Sequence, residues 1–188
     1  MTKKERFVAL MQEAAQTRKG LDKVLAWLET TDFFEAPAST RFHCAYVGGL
    51  LEHSLNVYDA FQKLFGQDGH DRSSVIICTL LHDICKSGFY KVEMRNRKNE
   101  QGQWESVPFY TVDDQFPYGH GEKSVYLIER FMHLRTEEAV AIRWHMGGFD
   151  ESVRGGSYAE GAAYDKYPLA LKLHLADMYA SHIMEKED

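Results

Sequence analysis

An imidazole and a carboxylate stand side by side at His82-Asp83, directly after the apolar run Val75-Ile76-Ile77-Cys78-Thr79-Leu80-Leu81. The run reads as a buried helix, so the pair is carried at the end of a rigid, largely apolar element. Successive helical residues point about 100° apart, because a turn takes 3.6 residues. Adjacent ligands there can straddle one point, the imidazole on one metal ion and the carboxylate bridging to a second. The rest of the chain is read around that pair.

The 188 residues fit one domain and can bury a sizeable core. Apolar residues Phe7, Leu10, Met11, Ala14 and Ala15 mark an amphipathic helix over 3–17, and Leu21 to Leu28 forms a second. Thr30-Thr31-Asp32 and then Pro37-Ala38-Ser39-Thr40 read as loop, and a helix is expected from about Phe42 to Phe65, ending at Gly66. Ser73-Ser74 can cap the helix that carries His82-Asp83. Phe89 to Arg97 alternates apolar with polar, Asn99-Glu100-Gln101-Gly102 is turn-like, and Trp104 to Val112 is strand-like again. Pro108 makes the second arm an edge strand or an irregular one. Helices are expected at about 121–134 and 136–145, then a long Gly-rich loop over 146–164. A last helix starts at Asp165 or Tyr167-Pro168 and runs through Ile183. The expected fold class is all-α, a mainly helical bundle with a small β-hairpin inserted near residues 89–112. A helical extension over 1–40 precedes a metal-binding core over 42–183.

Charge and cysteine usage narrow the function classes. A net charge of −6 argues against general affinity for nucleic-acid backbones, while a local basic patch for a small phosphorylated ligand stays open. Cys44, Cys78 and Cys85 are odd in number with no C-x-x-C pair, and the start is Lys-rich without a secretory signal. They read as reduced thiols of a cytoplasmic protein. No apolar run approaches the roughly 18 residues of a membrane span.

Four further residues are possible ligands: His53 in the long helix, His120 at a helix start, His145 just before Gly147-Gly148, and Asp177 in the last helix. A lone helical histidine is more often core or surface than ligand. Asp177 fits the bland reading less well, since an uncompensated carboxylate in an apolar helix is costly to bury.

Taken in order, His, His-Asp, His, His, Asp resembles the HD superfamily of metal-dependent phosphohydrolases. The resemblance spans roughly 42–183 and is carried by Gly49-Leu50-Leu51-Glu52-His53-Ser54-Leu55-Asn56-Val57, Leu81-His82-Asp83-Ile84-Cys85-Lys86 and Leu175-Ala176-Asp177. It implies that His53, His82, Asp83 and Asp177 form the family's mononuclear set, and that His120 and His145 match the extra histidines of its dinuclear branches. Where some cyclic-dinucleotide branches carry His-His, this chain has His145-Met146. Lys86 fits the family's His-Asp-x-x-Lys variant. The expected cofactor is a divalent transition metal, two ions per chain, from iron, manganese, nickel, cobalt or zinc, all suited to imidazole and carboxylate.

Such a centre favours an anionic phosphate and can acidify a water for in-line attack. The resemblance therefore implies hydrolysis of a small phosphorylated molecule, a nucleotide or dinucleotide. Asp83 is the expected bridging ligand and, with Lys86, the expected catalytic pair. Lys86 serves either as a point charge on a phosphate oxygen or as a cation at a solvated helix end. Arg143, Arg95 and Tyr118 are further candidates for substrate contact, each with a plain surface or packing alternative. His43, His70, His133, His174 and His182 are read as non-ligands. A di-iron oxygenase with the same ligands, a non-catalytic nucleotide-binding module and a single-strand exonuclease are the alternatives. Nucleic acid is the less favoured partner, and a homo-oligomer is left open.

Overall fold

In the computed structural model, which describes residues 1–186, helix α4 (Arg72–Leu81) is buried at every position from Ser73 to Leu81. Asp71 caps it, its carboxylate accepting from the Ser74 backbone N–H at 2.9 Å. The cap therefore sits two residues earlier than the serines that advertised it. Ile76, Ile77, Leu80 and Leu81 are fully enclosed, each contributing about 1.5–3 kcal/mol by leaving water.

Around α4 pack α1 (Lys3–Ala15), α3 (Gly49–Phe65) and α6 (Thr136–Trp144), while α9 (Pro168–Tyr179) closes against α3 and α6. Helices α2 (Leu21–Leu28) and α5 (His120–Glu129) flank α1 and α6 respectively. The buried side chains of α1 and α2, including Phe7, Met11, Leu21 and Leu28, belong to the same hydrophobic cluster as Ile76, Leu80, Ile142 and Leu173. Arg18, between α1 and α2, is buried and pairs bidentately with the fully enclosed Glu138 of α6, one contact measuring 2.7 Å. The first helices are thus tied to the bundle by both apolar packing and a buried charge pair.

The hairpin is where its alternation places it. Strand β1 (Tyr90–Lys98) pairs antiparallel with β2 (Trp104–Val112), from Tyr90 opposite Val112 to Lys98 opposite Trp104. Pro108 faces Met94 without breaking the pairing. In a two-stranded ribbon each strand is an edge, so the missing N–H can point outward.

Two stretches depart from expectation. Helix α3 begins at Gly49 and not near Phe42, because the backbone first folds back: Cys44 takes a left-handed φ of 46° and the Ala38 N–H bonds its carbonyl at 3.0 Å. A Cβ at Gly49 would fall on that same Cys44 carbonyl, so glycine permits the close approach. The segment 146–164 is not all loop; it holds a 3₁₀ turn Gly147–Phe149, the short α7 (Glu151–Arg154) and most of α8 (Ala159–Lys166). Asp150 caps α7 through the Ser152 N–H at 2.9 Å. Helix α8 buries only Ala163, so its sequence carries almost no periodic signal. No helix among the described residues is long and apolar enough to cross a membrane.

Candidate metal centre

Five elements converge on one point. His53 projects from the middle of α3, His82 and Asp83 follow the C-terminus of α4, and His120 opens α5. His145 caps the end of α6, and Asp177 lies on α9. Helices α5 and α6 approach so closely that a Cβ at Gly121 would fall on the Arg143 carbonyl. This contact brings the His120 and His145 rings within 5.2 Å of each other.

Asp83 stands at the centre and divides its two oxygens. Oδ1 lies 2.7 Å from His120 Nε2 and 3.4 Å from His145 Nε2, whereas Oδ2 lies 3.6 Å from both His53 Nε2 and His82 Nε2. His53 Nε2 is also 3.2 Å from His82 Nε2 and 3.3 Å from Asp177 Oδ1. Two donors on one ion with bonds of about 2.0–2.2 Å stand roughly 3–3.6 Å apart. Apart from the short His120–Asp83 contact, these spacings match such edges.

The tautomers fit as well. His82 Nδ1–H donates to the Thr79 carbonyl at 2.9 Å and His145 Nδ1–H to the Ile142 carbonyl at 2.6 Å. A carbonyl only accepts, so Nδ1 of each ring carries the hydrogen and Nε2 is turned to the centre. Burial, with the neighbouring histidines, lowers the His82 pKa to about 3 and keeps that ring neutral. His145 Nε2 is fully buried with no hydrogen-bond partner, an arrangement that costs free energy unless something accepts its lone pair. His53 and His120 behave differently. Burial opposes their charge, but Asp177 and Glu185 for the first, and Cys85 and Asp83 for the second, raise each pKa to about 10. An ion taking these donors must displace protons.

The chain matches the HD domain over residues 50–181. It belongs to the HD domain family. Over 86 residues it is 31% identical to the dihydroneopterin 2′,3′-cyclic phosphate phosphodiesterase of Methanocaldococcus jannaschii. That match takes in 42% of this chain but only 32% of the relative, so the chain spans less than half of that protein's length. No solved structure matches the chain.

Within this HD domain, Lys86 is not at a solvated helix end. Its ammonium lies 2.5 Å from Asp83 Oδ2 with the side chain only 12% exposed. Burial opposes its charge, yet Asp83 outweighs burial and raises its pKa. Arg143 directs its guanidinium to Glu122 and, at 2.7 Å, to Asp150, and stacks over Trp144. Arg95 lies over the Phe109 ring on the exposed hairpin, and Tyr118 stacks on Phe116 at the surface. A cavity of about 530 Å³ opens beside His120, lined by Phe89, Glu122, Lys123, Phe149 and Asp150 among others.

Three residues come closer to the centre than sequence reasoning put them. His43 packs against His53 with ring centroids 4.9 Å apart, and burial, with His53 beside it, lowers its pKa to about 4. Cys85 lies against His120. Glu185 accepts from His53 Nδ1–H at 3.1 Å and from the Asn56 amide at 2.9 Å. It arrives there because the chain after α9 widens into a π-helical turn, Ala180–Met184, closed by the Glu185 N–H on the Ala180 carbonyl at 3.0 Å. A carboxylate behind an imidazole fixes the ring's orientation and raises its basicity, and losing one typically weakens metal binding 10- to 100-fold. Glu185→Ala is expected to weaken metal binding through His53 by about that factor, as competitive chelator titration would measure. Parent-level metal affinity would remove Glu185 from this role.

Proposed function

We propose that this HD domain protein is a metal-dependent phosphohydrolase that cleaves a phosphoester bond in a small phosphorylated molecule, with a nucleotide or nucleotide-like cyclic phosphate as the favoured substrate. The observation that carries the reading is the division of Asp83, one oxygen toward His120 and His145, the other toward His53 and His82. On this reading the six residues His53, His82, Asp83, His120, His145 and Asp177 hold two divalent ions. Such ions supply Lewis-acid polarisation of a phosphoryl oxygen and a water acidic enough to act as nucleophile near neutral pH.

The chain's own groups set up the rest. Asp83, Asp177 and Glu185 bring three negative charges; two divalent ions and Lys86 more than balance them, leaving about two positive charges for an anionic phosphate. Lys86 would hold Asp83 in orientation between the two ions and offer a cation for a phosphate oxygen. The cavity beside His120 takes the remainder of the substrate, with Phe89 and Phe149 as apolar walls. Membership of the family supports the reaction class, and the relative named as a cyclic-phosphate phosphodiesterase supports the substrate class.

The test is turnover of 2′,3′-cyclic nucleotides and bis(p-nitrophenyl) phosphate by protein loaded in turn with manganese, iron, cobalt, nickel or zinc. Release of the phosphomonoester is expected with at least one metal. Nucleotide binding without turnover under every metal would make the protein a regulatory module. Oxygen consumption confined to the iron-loaded form, with no hydrolysis, would make it an oxygenase.

A further inference from the structure

We propose that Cys85 is a ligand of the ion on the His120 side, giving one half of the centre a sulfur donor. The inference rests on the dinuclear reading above and adds a residue to it. Cys85 Sγ lies 3.5 Å from His120 Nδ1 and 3.7 Å from His120 Nε2. A sulfur at about 2.3 Å and an imidazole nitrogen at about 2.05 Å on one tetrahedral ion stand roughly 3.6 Å apart. Donor atoms of Asp83, Cys85 and His120 all lie within 4.8 Å of one another.

A second observation points to the same place. His145 Nε2 is fully buried, without a partner, and faces Asp83 Oδ1, the oxygen that also faces His120. Asp83, His120 and Cys85 then make three donors for one ion, and His145 Nε2 meets the same Asp83 oxygen from the end of α6. The sulfur is held in place, since the Cys85 N–H donates to Ser124 Oγ of α5 at 3.3 Å, fastening the 3₁₀ turn Ile84–Lys86 to the helix that starts with His120. Cys85 is only 2% exposed, so the thiol faces protein and not solvent. The chemical consequence is asymmetry. Among the described residues the donors grouped with His53 are nitrogen and oxygen, while the His120 side favours borderline and softer ions such as zinc or cobalt over manganese.

Cobalt(II) is the probe, added to metal-free protein and followed by absorption. The parent is expected to show visible d–d bands together with a near-ultraviolet thiolate-to-cobalt charge-transfer band. Cys85→Ser is expected to lose the charge-transfer band and keep the d–d bands, and Cys78→Ala, altering a core thiol away from the centre, to keep both. A parent spectrum with d–d bands and no charge-transfer band would overturn the assignment and leave the metal centre standing. A parent without cobalt bands of either kind would overturn both. Should Cys85→Ser fail to fold, the parent spectrum still decides, with His120→Ala expected to lose the sulfur band.

Discussion

Asp83→Asn is expected to lose bound metal and to lower hydrolysis by about 4 kcal/mol in barrier, roughly 10³-fold. The substitution keeps size and shape but replaces one carboxylate oxygen with an NH₂ group. Whichever way the amide turns, an N–H donor faces either His120 and His145 or His53, His82 and Lys86, where the native oxygens stand. One ion position therefore loses its shared ligand, and Lys86 is left largely buried beside a neutral group. The second effect lowers stability as well, so thermal unfolding has to accompany elemental analysis and turnover. Metal content and turnover equal to the parent's in a folded variant would sink the bridging role.

Arg18→Ala is expected to destabilise the fold by about 3–5 kcal/mol, the usual result of stripping one partner from a buried ion pair. Glu138 would remain fully enclosed with the Ser74 hydroxyl at 2.6 Å and the Arg135 N–H at 2.7 Å as its remaining donors. The pair also carries a pH signature. Burial works against the Glu138 carboxylate, but Arg18 and then Ser74 overcome it and hold its pKa below the ordinary 4.5. A depressed carboxyl pKa contributes stability that is complete above about pH 4.5 and is lost as pH falls toward the folded-state value. Urea unfolding at neutral pH and near pH 4 should show that loss in the parent and less of it in Glu138→Gln. An Arg18→Ala cost below about 1 kcal/mol would mean the pair adds nothing beyond an apolar contact.

Much of the frame is legible in the chain because it depends on local periodicity. Val75 to Leu81 announces a buried helix, and the alternation from Phe89 onward announces the hairpin, since both patterns repeat within a few residues. The start of α3 is hidden, as Phe42 and Val47 mimic a helical face yet lie exposed on a fold-back that Cys44 and Gly49 impose. Helix α8 is hidden because alanine and glycine leave it no apolar stripe. The order of His53, His82, Asp83, His120, His145 and Asp177 can be read from sequence together with family likeness, and so can a bridging Asp83, but not which histidines each of its oxygens faces. That depends on how five elements cross. Cys85 stands in plain view inside the motif and reads only as a reduced thiol until His120 is seen beside it. Glu185 gives no signal at all within a charged tail.

The π turn at Ala180–Met184 works as a phase adjuster. An α-helix advances about 100° per residue, so the residue that arrives behind His53 depends on how many positions the turn consumes. Closing it with one residue fewer would restore the ordinary period and swing the carboxylate of Glu185 away from the imidazole. Chains of this kind that differ only by a single-residue gap at this turn are therefore expected to fall into two chemical types. One backs its first histidine with a carboxylate, and the other leaves that imidazole a weaker base.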